Sequence, residues 1–167
     1  MTTKTNTVIV DAPPEAIYRL AAATERWPDY LPHYRRVRVL SGDALTRTVE
    51  MAAWRDFIPI RWIAEQINDP QVPNIRFRHV AGWTKGMDVE WTFKPRGDRT
   101  EVQIVHRLAF RFPFAADWLG EHVVGDFFIH NVASKTLACM KRLAEAGTAA
   151  ASSPILGDAA RPHPCDQ

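Results

Sequence analysis

The chain has little of what the familiar small-protein frameworks need. Two cysteines, Cys139 and Cys165, stand among 167 residues. That is too few for a disulfide framework or a zinc ribbon. No apolar run reaches the roughly 18 residues of a membrane span, and Met1 to Thr7 is polar where a signal peptide would be apolar. A cytoplasmic location is therefore expected. Charge of one sign is also missing: 21 Lys and Arg against 19 Asp and Glu leave +2, with the arginines scattered. A nucleic-acid binder would concentrate its basic residues on one face. GxSxG, CxxC, GxxxxGK[ST] and GxGxxG are all absent, which disfavours covalent hydrolases and nucleotide enzymes. What is abundant is aromatic mass, six tryptophans and eight phenylalanines. So many large rings need an interior to line, and a cavity would supply one.

The periodicity changes along the chain. Thr5–Asp11 alternates into a β-branched run and predicts a strand. In APPEAIYRLAAA, Pro13 and Pro14 fit only the first turn of a helix, where their missing N–H groups cost nothing. TERWPDYLPHY has Pro28 and Pro32 four residues apart and can hold a single helical turn. Six β segments are then expected at Tyr34–Leu40, Leu45–Trp54, Ile58–Asn68, Asn74–Ala81, Met87–Lys94 and Thr100–Phe112. The short turns between them imply an antiparallel meander. From Ala115 to Ala146, the residues Ile129, Ala133, Thr136, Met140 and Leu143 form a helical stripe that Gly147 can close. Residues 1–147 thus read as one domain and 148–167, rich in Ala, Pro and Ser, as a flexible tail. A mostly antiparallel sheet with one long amphipathic helix is an α+β architecture, whose apolar faces must cover each other.

Strand alternation separates inward from outward side chains. Met87, Val89, Trp91 and Phe93 share one face, as do Val102, Ile104, His106, Leu108 and Phe110. His106 is the polar member of its set. It is either satisfied by a buried partner or serves as proton carrier and hydrogen-bond donor to a bound carbonyl. Ile58, Ile60, Trp62 and Ala64 share their face with Gln66, while Arg61 points outward and Arg55 lies at a strand end. Ile75, Phe77 and His79 oppose Arg76 and Arg78. Trp83, between two glycines in GWTKG, suits either a lid or a loop folded onto the core. The expected pocket is lined by Trp62, Gln66, Phe77, His79, Trp91, Ile104, His106 and Met140, with Trp83 near its entrance. His122, Asp126 and His130 recur at metal-like steps of four, but no companion motif supports them, so neither metal nor cofactor is expected. Cys139 reads as a small buried hydrophobe. Arg35, Arg36 and Arg38 are the solvated side of a strand, or a docking face for an acidic partner or anionic headgroups.

The stretches DAPPEAIYRLAAATERWPDYLPHYRRVRVL, GMDVEWTFKP and FFIHNVASKTLACMKRLAE carry a resemblance over Lys4 to Glu145. The chain resembles the helix-grip fold of the START and birch-pollen-allergen superfamily. Its APxE…WPxYLP front is similar to the polyketide cyclase/dehydrase branch, and the coenzyme Q-binding branch has a similar front. The resemblance implies a seven-stranded antiparallel sheet wrapped around a long C-terminal helix, with two short helices after the first strand. It also implies a hydrophobic ligand held between sheet and helix. In the cyclase branch this is a poly-ketone carried on an acyl carrier protein, to be folded and dehydrated. The alternative is a non-catalytic binder of a lipid, isoprenoid or quinone. Aromatase/cyclases of this kind place an arginine near the end of the strand containing Trp62. Here that place falls to Gln66, which cannot protonate a ketone.

Overall fold

The computed structural model describes residues 2–55, 58–82, 84–108 and 127–152. Strand β1 (Thr2–Val10) leads into helix α1 (Pro14–Ala22), a 3-10 turn at Thr24–Arg26 and the one-turn helix α2 (Trp27–Tyr30). Strands β2 (Tyr34–Gly42), β3 (Thr46–Arg55), β4 (Ile58–Asp69), β5 (Asn74–Gly82), β6 (Met87–Arg96) and β7 (Arg99–Leu108) follow. Helix α3 (Phe127–Ser152) comes last. The order across the sheet is β1-β7-β6-β5-β4-β3-β2, every pairing antiparallel. β1 thus joins the far edge of the meander, and α3 packs across β1, β3 and α1. This is the helix-grip fold that the sequence implied.

Pairing extends the elements beyond their hydrophobic pattern. β1 begins at Thr2 instead of Thr5, because its polar half pairs in register with β7 from Thr2↔Leu108 onward. Ladder hydrogen bonds hold residues there that propensity alone would not. Helix α3 does not end at Gly147 but runs on to Ser152. Gly147 has open space around it, and the alanines that follow are strong helix formers, so nothing local stops the ladder. The first five residues assigned to the tail are therefore helical; residues 153–167 lie outside the described part. In β2, register shifts at Tyr34/Arg36 and Val39/Ser41 interrupt the ladder of this edge strand.

The core fills the concave side of the sheet. Val49, Met51 and Ala53 of β3, Ile60, Trp62 and Ala64 of β4, and Ile75 and Phe77 of β5 are buried. So are the alternating sets of β6 and β7 that the sequence assigned inward, Phe110 lying outside the described residues. Ala133, Thr136 and Met140 form the buried side of α3, as its stripe requires. Pro13 caps α1 and Pro14 occupies its first turn.

Candidate functional site

Between sheet, α2 and α3 the packing leaves a cavity. About 60 Å³ of it is open to the centre of a water molecule, against roughly 10–15 Å³ that seats one water. Counting its water-filled mouth, about 490 Å³ is free of protein atoms, inside the roughly 300–1,000 Å³ range of small-molecule sites. Six of the residues expected to line a pocket do so: Trp62, Phe77, His79, Trp91, Ile104 and His106. Period-2 alternation turns all six inward, and antiparallel pairing brings the four strands that carry them side by side.

Two expected residues do not line it. The Met140 side chain is fully buried in the packing of α3. Gln66 lies on the inward face but its amide is consumed by a polar network. It donates to the Ala22 carbonyl (2.9 Å) and to Asn68 Oδ1 (2.8 Å), and accepts from the Thr24 hydroxyl (2.8 Å) and Arg47 Nε (3.1 Å). Arg47, the register partner of Gln66, also reaches Glu25 at 2.8 Å. A cation and an amide thus bind the free carbonyl at the C-terminus of α1, where the helix dipole favours them. Gln66 fastens α1 to the sheet instead of facing a ligand. Trp83, His122 and Asp126 lie outside the described residues, and the side chains of Arg55 and His130 are likewise not described.

The sequence reading missed Trp27, Tyr34 and Thr136, which complete the wall together with Met51, Met87, Val89, Val132 and Ala133. Trp27 packs edge-on against Tyr34, with ring centroids 4.8 Å apart, and tilts against Trp91 at 6.0 Å. Its indole N–H donates to the Leu20 carbonyl at 3.2 Å, which fixes the ring. Thr136 donates to the Val132 carbonyl (2.8 Å) and its oxygen meets His33 Nε2 at 2.8 Å. Thr136 was visible in the helical stripe as a polar residue among apolar ones, and that oddity was the available signal.

The polar end of the cavity is a pair of imidazoles. His79 stacks on Trp62, centroids 5.8 Å apart and rings 8° from parallel, and its Nδ1 meets the Thr84 hydroxyl at 2.5 Å. Gly82 lies beside Trp62 in the ladder at φ +89°, and any Cβ there would collide with the Arg61 backbone. This position requires glycine. His106 is 7 % exposed, and its Nδ1 is buried with no hydrogen-bond partner among the described residues. Burial lowers the His106 pKa to about 4. Burial and then the neighbouring His106 lower that of His79 to about 3. Both rings are neutral at physiological pH, and each can give or take a hydrogen bond. A buried nitrogen without a partner costs about 1–3 kcal/mol, a cost a ligand in the cavity can remove.

Comparison with known proteins agrees with this geometry. Residues 10–128 match a family described as polyketide cyclase/dehydrase and lipid transport. A granaticin polyketide synthase bifunctional cyclase/dehydratase of Streptomyces violaceoruber is 34% identical over 106 residues, 62% of this chain. The match covers 33% of that longer protein. Among solved structures, the Zhui aromatase/cyclase of Streptomyces sp. R1128 superposes with a TM-score of 0.78 at 19% identity, over 92% of this chain and 99% of its own. A START superfamily protein of Mycobacterium smegmatis does so with a TM-score of 0.64 at 17% identity, over 90% and 99%. The two structures share the fold, and the matched span takes in six strands of the sheet and most of the cavity wall. On these grounds the chain belongs to the polyketide cyclase/dehydrase and lipid transport family.

Proposed function

We propose that the domain folds a poly-ketone chain in its cavity and promotes cyclisation or dehydration there, with His106 as the group that meets the reacting oxygen. The observation that carries this reading is the buried Nδ1 of His106, without a hydrogen-bond partner among the described residues, in a wall that is mostly aromatic and aliphatic. Holding a flexible chain in a reactive geometry supplies several kcal/mol of barrier lowering, so few chemical groups are needed. A neutral imidazole at the polar end donates to a ketone or accepts from an enol. An acyl carrier protein would deliver the chain, and its acidic surface would suit exposed Arg35 and Arg36 beside Tyr34. No helix among the described residues is long and apolar enough to cross a membrane, which fits a cytosolic setting for such delivery.

One observation favours a second reading, a non-catalytic carrier of a quinone, isoprenoid or lipid. Gln66 and Arg47 are locked in the α1 clamp, so the described wall contains no guanidinium to polarise a ketone. Native mass spectrometry of protein from its own host, followed by turnover of poly-ketone thioesters, separates the two. The enzyme reading expects conversion by the wild type and its loss in His106→Ala, with ligand still bound. Recovery of an intact quinone or lipid that is never converted, and is bound equally by His106→Ala, would leave the carrier reading.

A further inference from the structure

The cavity wall is polar in places but has no fixed charge among the described residues. Its polar members are Tyr34 from β2, His79 from β5, His106 from β7 and Thr136 from α3. Behind Thr136 stands His33, and Lys135 on α3 is exposed. Among the described side chains, two cations of the strands have inward parity; Arg55 shares that parity, but its side chain is not described. Arg47 is engaged by Glu25, Gln66, Thr24 and the end of α1. Lys4, the register partner of His106 on β1, does not line the cavity. Arg61, Arg78, Asp88, Glu90 and Arg107 all pair with one another or with Glu50 on the far side of the sheet.

We propose that the cavity admits its ligand only in uncharged form and turns away the carboxylate of the same skeleton. This rests on reading the cavity as a ligand site, and it narrows the ligand class within that reading. A carboxylate seated among Trp27, Trp62, Trp91 and Phe77 would be desolvated with no cation among the described lining residues to answer it, which is far costlier than burying a neutral ester or ketone. The imidazoles do not repair this, because burial holds both uncharged near neutral pH and His106 further disfavours a proton on His79. Free acids whose carboxylate would have to enter the aromatic part of the cavity are thereby excluded. Thioesters, neutral ketones, phenols and quinones are admitted.

The test uses methyl 2-naphthoate and 2-naphthoic acid, two probes of one skeleton. The ester is titrated into the wild-type protein by tryptophan quenching between pH 5.5 and 8, and the acid is then titrated as its competitor. The expected result is an ester Kd that is unchanged across the range. The apparent Kd of the acid should rise about tenfold per pH unit, as it must when only the neutral fraction binds. His106→Arg should improve naphthoate binding at pH 8 at least tenfold by placing a cation in the wall. An acid that competes equally well at pH 5.5 and pH 8 would overturn the proposal and leave the hydrophobic site standing. If neither probe binds, the reading of the cavity as a ligand site fails and the proposal falls with it. The wild-type pH series decides the matter even if His106→Arg does not fold.

Discussion

The two faces of the sheet are made by alternate residues of the same strands, yet they handle charge in opposite ways. On the outer face many charges have an answering one on a neighbouring strand. Arg78 meets Asp88 at 3.1 Å, Arg107 meets Glu90 at 2.9 Å, and Glu50 sits between Arg38 (3.2 Å) and Arg61. On the inner face the ionisable groups along the cavity are kept neutral, and the one guanidinium with several partners, Arg47, is drawn off to clamp a helix end. Exposed pairs gain little because water already solvates both partners. A lone charge inside would lose its solvation outright. The faces therefore differ in what a single change costs, and each of the following measurements probes that difference.

Acidification should do most. His33, His79 and His106 have folded pKa values of about 4, 3 and 4, lowered first by burial. The unfolded chain takes up their protons near pH 6.5, so stability is full above that pH and is lost as pH falls toward the folded values. Between pH 7 and pH 5 the expected loss is about 2 kcal/mol for each of His79 and His106, and less for the half-buried His33. Urea midpoints at the two pH values read it, and His79→Phe should flatten the dependence. A profile flat down to pH 5 would mean that water reaches the inner face freely.

Trp91→Ala comes next. It removes a buried ring that touches Trp27 and Phe93, and the expected cost is about 3–5 kcal/mol. Equilibrium unfolding measures it, and the same variant should lose affinity for an apolar fluorescent probe. Gln66→Leu keeps the volume but strips partners from Arg47, Thr24 and Asn68. About 2 kcal/mol should be lost, while probe affinity stays within a factor of about two, since stability lost outside a site adds to binding rather than coupling with it. A large fall in affinity would show that the α1 clamp shapes the cavity. Smallest is Asp88→Asn on the outer face, for which unfolding should shift by about 0.2–1 kcal/mol and less still in high salt.

The inner face was legible because period-2 alternation survives in any strand paired on both sides. Met87, Val89, Trp91 and Phe93 announce their direction without a partner in view. His106 and His79 could be placed inside for the same reason, but not their condition. Whether Nδ1 of His106 finds a partner depends on the residues around it in space. Trp27 was illegible because it begins a one-turn helix whose second residue is Pro28, too short for a periodicity to orient it. Tyr34 opens a strand at a register shift, where parity loses its meaning. Gln66 had the right face and the wrong task, since three of its four partners come from 19 to 44 residues away.

Alternation, turn residues and the long helical stripe are local properties of the chain, and they determined the antiparallel meander, the closing helix and the direction of most inward side chains. The tertiary structure decided what no local pattern encodes. It paired β1 with β7, committed Arg47 and Gln66 to the end of α1, and brought Trp27, Tyr34 and Thr136 to the cavity. The reason is physical: direction along a strand is fixed by backbone geometry within two residues, whereas desolvation and partnership depend on every group that arrives from elsewhere.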